Sequence, residues 1–136
     1  MSDVQKYESE LSVATCGYIK CCLQLHAYEE ALFLCDKMLN ILFNDYMLLL
    51  MKGLLLLKMC ERERAKSLFD EMTALSTDAE TLYDIGKICQ KALCMDMAST
   101  YYEMCIRISP TYKNVQKRLR LCRSVLGNSQ ERGMDK

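Results

Sequence analysis

Apolar residues recur at Val4, Tyr7, Leu11, Ala14, Tyr18, Cys21 and Leu25, in alternating steps of three and four. That rhythm predicts one amphipathic helix over residues 3–25 that buries this stripe, with Ser2 as its N-cap. A second helix is expected over residues 28–41, with Ala31, Leu34, Cys35, Met38, Leu39 and Ile41 inward. The turn 43–45 follows, and Asp45 can cap a third helix over 46–59. This third helix is apolar on nearly every face, only Lys52 and Lys58 carrying charge, so it must be surrounded by other elements. The pattern then predicts helices over 62–75, 79–93, 95–108 and 111–126. Ser76-Thr-Asp78 forms one turn and cap, and Pro110 stops the sixth helix and starts the seventh. Gly127 is expected to end that helix, leaving a polar, disordered tail over 127–136.

A fixed period underlies the pairs of helices. Ala31, Ala65 and Ala98 recur at a nearly constant step, and Gly53 and Gly86 keep the same step. Its length, about 34 residues, is that of one helix–turn–helix unit in a repeat array. A larger residue follows each alanine by four (Cys35, Phe69, Tyr102) and another by seven (Met38, Met72, Cys105). Small residues on paired helices let the backbones approach, and Phe69 and Tyr102 are expected to fill the space between successive pairs.

On these residues the chain resembles the tetratricopeptide repeat family. Its third unit, with Leu82, Ile85, Gly86, Cys89, Ala98, Tyr102 and Pro110, matches the family's pattern best. The second keeps Gly53, Leu56, Ala65 and Phe69 but has Thr77 for proline. The first keeps Tyr28 and Ala31 but has Ile19 for glycine and Phe43 for proline. The resemblance covers residues 12–112. It implies an all-α solenoid of antiparallel helix pairs, a right-handed superhelix of about seven helices, as a single domain over 1–126. Its repeats would be 12–45, 46–78 and 79–112, with a capping helix over 111–126.

Composition narrows the function. One proline and five glycines, with abundant Leu, Met, Lys and Glu, agree with helix throughout. Eighteen basic and eighteen acidic residues leave no whole-molecule field to recruit nucleic acid or a membrane surface. The apolar run at 46–57 is interrupted by Lys52 and is shorter than the roughly 20 residues of a membrane span. The charged start lacks the apolar segment of a signal peptide, and nine cysteines read as free thiols. Those features predict an intracellular, cytoplasmic or nuclear protein.

No catalytic site is expected. His26, the single histidine, falls in a predicted turn with no nucleophile arranged around it. Cys16 and Cys21, like Cys89 and Cys94, are five positions apart, which on a helix separates them by roughly 140°, a poor geometry for one metal ion. Neither a phosphate-cradling glycine loop nor a nucleophile motif occurs. Catalytic, metal and cofactor residues are all expected to be none.

The resemblance places a partner-binding groove on the first helix of each pair. Its residues would be Val13, Cys16, Lys20, Leu23 and Gln24; Met47, Leu50, Met51, Leu54 and Leu57; and Glu80, Tyr83, Asp84, Lys87, Gln90 and Lys91. The family's grip on chaperone carboxylates is not implied, because Cys16, Lys20, Met51, Glu80 and Asp84 stand at the positions that need Lys, Asn and Arg. An apolar groove suits a helical or extended partner segment with hydrophobic anchors. The function implied is a non-catalytic adaptor. One alternative is a self-associating scaffold subunit of a large assembly, as in the anaphase-promoting ubiquitin ligase, which would make a homodimer. Another is a chaperone similar to those of bacterial secretion systems. The seventh helix adds a basic face, Lys113, Lys117, Arg118, Arg120 and Arg123, which reads either as a solvated cap or as a docking site for an acidic partner. Without interleaved aromatics beyond Tyr112, it argues against nucleic acid.

Overall fold

A computed structural model describes residues 2–134, with side chains to residue 127. Among the described residues the fold is all-α, with seven helices and no strand. These are α1 (Asp3–Gln24), α2 (Tyr28–Leu39), α3 (Tyr46–Lys58), α4 (Arg62–Leu75), α5 (Ala79–Lys91), α6 (Met95–Ile108) and α7 (Val115–Met134).

Side-chain caps set the starts of three helices where the sequence puts them. Ser2 and Gln5 close a reciprocal capping box on α1. The Asp45 carboxylate accepts from the Leu48 N–H at 3.0 Å, and Asp78 accepts from the Thr81 N–H at 2.8 Å. Asp45 Oδ1 also accepts from the Ser12 hydroxyl at 3.0 Å, which ties α1 to the start of α3.

The ends of α1, α3 and α5 share one device. After each C-cap comes a residue with positive φ, His26 (57°), Cys60 (61°) and Leu93 (62°). The next N–H then reaches back to the same relative carbonyl: Ala27 to Cys22, Glu61 to Leu56, Cys94 to Cys89, at 2.8–2.9 Å. This is the Schellman arrangement, which satisfies carbonyls that a helix end leaves open. Its three occurrences keep the same step along the chain as the three alanines.

The chain forms two compact units, Met1–Leu68 and Phe69–Lys136, with α4 running through the junction. In the first unit α1, α2 and α3 pack mutually around Ile19, Ala31, Cys35, Leu48, Leu55 and Leu56. In the second, α6 packs against both α5 and α7 around Leu82, Ile85, Ala98, Tyr102, Cys105 and Val115. Ala31, Ala65 and Ala98 are all fully buried, as their repetition requires.

The stripe Val4–Tyr7–Leu11–Ala14–Tyr18–Cys21–Leu25 does not form the inner face of α1; all are exposed except the half-buried Leu11. The inner face is Ser12, Thr15, Cys16, Ile19 and Cys22. It can carry hydroxyls because Ser12 bonds Asp45 and the Thr15 hydroxyl donates to the Leu11 carbonyl at 2.8 Å. Tyr102 packs against Gly86 of its own helix pair and also neighbours Arg118 and Cys122 of α7, and Phe69 reaches beyond its helix, meeting Tyr101 edge-on at 5.8 Å. Pro110 lies in a turn and α7 starts only at Val115, since Lys113 takes a left-handed φ of 42°. At the other end, Gly127 does not stop α7, which runs to Met134. Of the tail expected to be disordered, Asp135 and Lys136 lie outside the described residues.

Candidate functional site

The helix expected to offer the groove is itself core. Leu50, Met51, Leu54 and Leu57 are only 4–6% exposed, so a partner cannot rest on them as the chain stands. Hydropathy could not separate the two roles, because an all-round apolar helix reads the same whether its neighbours come from its own chain or from a partner. Lys52 on this helix is held by Asp36 of α2, its Nζ 2.8 Å from Oδ1. That is close enough for charge pairing, although the two atoms are not aligned as a hydrogen bond. Of the second-repeat groove residues only Met47 is exposed.

Met47 instead joins a surface cleft of about 790 Å³ in the first unit. Val13 of α1, Ile41 and Phe43 of the α2–α3 turn, and Met47 at the start of α3 line it, beside Glu8 and Asp45. Phe43 is 81% and Val13 70% exposed, so the apolar edges stand free in solvent. Two hydrogen bonds hold its walls in place: Ser12 to Asp45, and Asp45 to the first turn of α3. A second opening of about 630 Å³ lies between α1 and α2, where Tyr18 faces Phe33, Leu34, Glu29 and Glu30. Lys20 and Gln24 of α1 are exposed and Leu23 is half-buried.

The third-repeat residues are brought together in the second unit, around Tyr83. Its ring is buried, and its hydroxyl donates to Asn114 Oδ1 at 2.5 Å while accepting from Arg118 Nε at 3.0 Å. Arg118 Nη1 donates to Gln90 Oε1 at 3.1 Å, which also accepts from the Tyr102 hydroxyl at 2.7 Å. Burial raises the Tyr102 hydroxyl pKa above the ordinary phenol range, with the nearby Arg118 charge opposing. Lys87 Nζ, Lys113 Nζ and Arg118 Cζ lie 5.6, 5.3 and 5.7 Å from the Tyr83 ring centre. Lys91 is exposed and joins none of these contacts. The sequence could not show that Arg118 and Tyr83, 35 residues apart, share a hydrogen bond.

The basic residues of α7 therefore do not form one face. Arg118 turns toward α5. Arg120 and Arg123 line a cleft with Glu103, Ile106 and Arg107 of α6, and Arg123 Nη2 pairs with Glu103 at 3.0 Å. Lys113 sits in the preceding turn and Lys117 is exposed.

The cysteines Cys16, Cys35, Cys105 and Cys122 are buried thiols whose pKa values desolvation raises, that of Cys35 to about 12. The single histidine has its Nδ1 2.7 Å from the Tyr28 hydroxyl in the α1–α2 turn. Among the described residues no group of three or more His, Cys, Asp or Glu is placed to hold a metal ion, and no helix is long and apolar enough to cross a membrane. Compared with protein-family models the chain matches none, and no curated protein matches it.

Proposed function

We propose that this chain is a non-catalytic protein–protein interaction module built from tetratricopeptide-type helix pairs. Its apolar cleft beside α1 would hold a helical or extended apolar segment of a partner. The observation that carries this reading is the convergence of Val13, Ile41, Phe43 and Met47 on one cleft. Single exposed hydrophobic residues are ordinary, but a cluster with its own cleft marks a binding surface. The volume suits two or three anchoring side chains, and methionine adapts to varied apolar shapes. The repeat reading is supported by the buried alanines and by three equivalent helix ends at the same spacing. Absence of catalysis is part of the proposal and rests on there being no grouped chemistry in the sequence. An intracellular location rests on the free thiols the sequence implies.

A panel of displayed peptides selected against the whole chain tests it. Selected sequences should carry two or three apolar anchors and lose at least tenfold in affinity for Phe43→Glu or Met47→Glu. Peptides without apolar anchors, or indifference to both substitutions, would sink the reading.

A second reading, self-association, is favoured by one observation. The exposed stripe of α1 keeps steps of three and four over three heptads, the spacing of a two-helix seam. Ala14 and Gly17 would let two copies approach closely near its middle. Light scattering distinguishes this: a dimer that Tyr18→Glu converts to monomer supports it, and a monomer at tens of micromolar removes it.

A further inference from the structure

The second unit gathers three positive charges around one aromatic ring. Lys87 from α5, Lys113 from the α6–α7 turn and Arg118 from α7 all face the same ring, their charged groups 5.6, 5.3 and 5.7 Å from the centre of Tyr83. The cluster is built, not incidental. Arg118 is fixed by three hydrogen bonds, to the Tyr83 hydroxyl, Asn114 and Gln90, and Gln90 is fixed in turn by Tyr102. These bonds engage Nε and Nη1, and the side chain is only half-buried, so the guanidinium still meets solvent. Lys113 is delivered by a left-handed backbone at φ 42°, which also places its ammonium 5.5 Å from the Tyr112 ring. Facing ring electrons offset only part of the mutual repulsion of three cations.

We propose that this cluster is a second binding site, for an acidic peptide segment carrying at least two carboxylates. One carboxylate would accept from the guanidinium of Arg118, and the other would pair with the ammonium of Lys87 or Lys113. An acidic protein segment fits better than nucleic acid for two reasons. The Tyr83 ring is buried and offers no stacking platform, and the three charges gather round one ring rather than following a backbone track. The site lies wholly within the second unit and does not depend on the apolar cleft.

The test uses the full chain and a fluorescein-labelled twelve-residue Asp/Glu peptide, read by fluorescence anisotropy at about 0.15 M salt, where long-range attraction is screened. Wild type should bind. Lys87→Gln/Lys113→Gln, which leaves the Arg118 hydrogen bonds intact, should lose at least tenfold. Lys117→Gln/Arg120→Gln, which removes the same net charge elsewhere on α7, should bind as wild type. Circular dichroism and melting of both variants confirm that each remains folded. No binding by wild type overturns the proposal, as does equal loss in the two double variants, which would mean general attraction. A single-stranded oligonucleotide that competes at lower concentration than the unlabelled peptide also overturns it. Phe43→Glu should leave this binding unchanged, which separates its failure from that of the apolar cleft.

Discussion

Gly86 and Tyr102 meet so closely that a methyl group on Gly86 would lie 2.5 Å from Cε1 of the tyrosine ring. Tyr102 is fully buried and its hydroxyl is held by Gln90 at 2.7 Å, so the ring has nowhere to move. Gly86→Ala should therefore cost about 1–3 kcal/mol, despite the gain of a better helix former. At Gly17 an added Cβ meets nothing within 4 Å, and Gly17→Ala should stabilise by about 1 kcal/mol through propensity alone. Urea midpoints of the two variants should shift in opposite directions.

The three helix-end turns use residues that dislike the conformation they adopt. Leu93 has a φ of 62° and a largely exposed side chain, so it gives up little packing. Leu93→Gly should stabilise by about 1 kcal/mol by removing the left-handed penalty. Thermal melting checks this, and a lowered Tm would mean that the side chain packs more than its exposure indicates.

Asp78 gives a pH dependence whose sign is fixed. Hydrogen bonds from Thr81, then from Ser76, hold its carboxylate below the usual value of 3.8 in the folded chain. A depressed native pKa means the stability it contributes is present above 3.8 and is lost as pH falls through the native value. Asp78→Ala should cost about 1 kcal/mol at neutral pH, and the gap between variant and wild type should close on acidification below 3.8. A gap that persisted unchanged into acid would contradict the capping role.

Thiol chemistry should divide the cysteines. Cys21 and Cys60 are exposed, whereas Cys35 is buried and raised to about 12, first by desolvation and then by the Asp36 charge, with Lys52 opposing. Titration with an aromatic disulfide at about pH 8 should modify Cys21 and Cys60 fast. Cys16, Cys35, Cys105 and Cys122 should react only on unfolding.

Helices, caps and period are legible in the sequence because each rests on local chemistry. Ser2, Asp45 and Asp78 accept from N–H groups three residues on, and the buried alanines announce themselves by spacing. The facing of α1 is not legible. Two stripes compete on it, and the more apolar one, Val4 to Leu25, faces outward because Ser12 and Thr15 find hydrogen bonds that no window of hydropathy records. The same limit applies to Leu50, Met51, Leu54 and Leu57, whose apolar character could not say who buries them. The candidate site is half legible: the family resemblance singles out Met47, Tyr83, Lys87 and Gln90. Phe43 and Ile41 read as turn and core, although an aromatic in a short polar turn is an available signal of the cleft. The partnership of Arg118 with Tyr83 depends on how α5 and α7 pack, which no local pattern encodes.

A photo-crosslinking amino acid at position 43, in cells that make the protein, probes the apolar cleft in place. Cross-links should form to an apolar segment of a different protein, abolished by Met47→Glu and unaffected by Lys113→Gln. Cross-links only to a second copy of this chain, or the same products when the probe sits at the exposed Lys66 on α4, would contradict it.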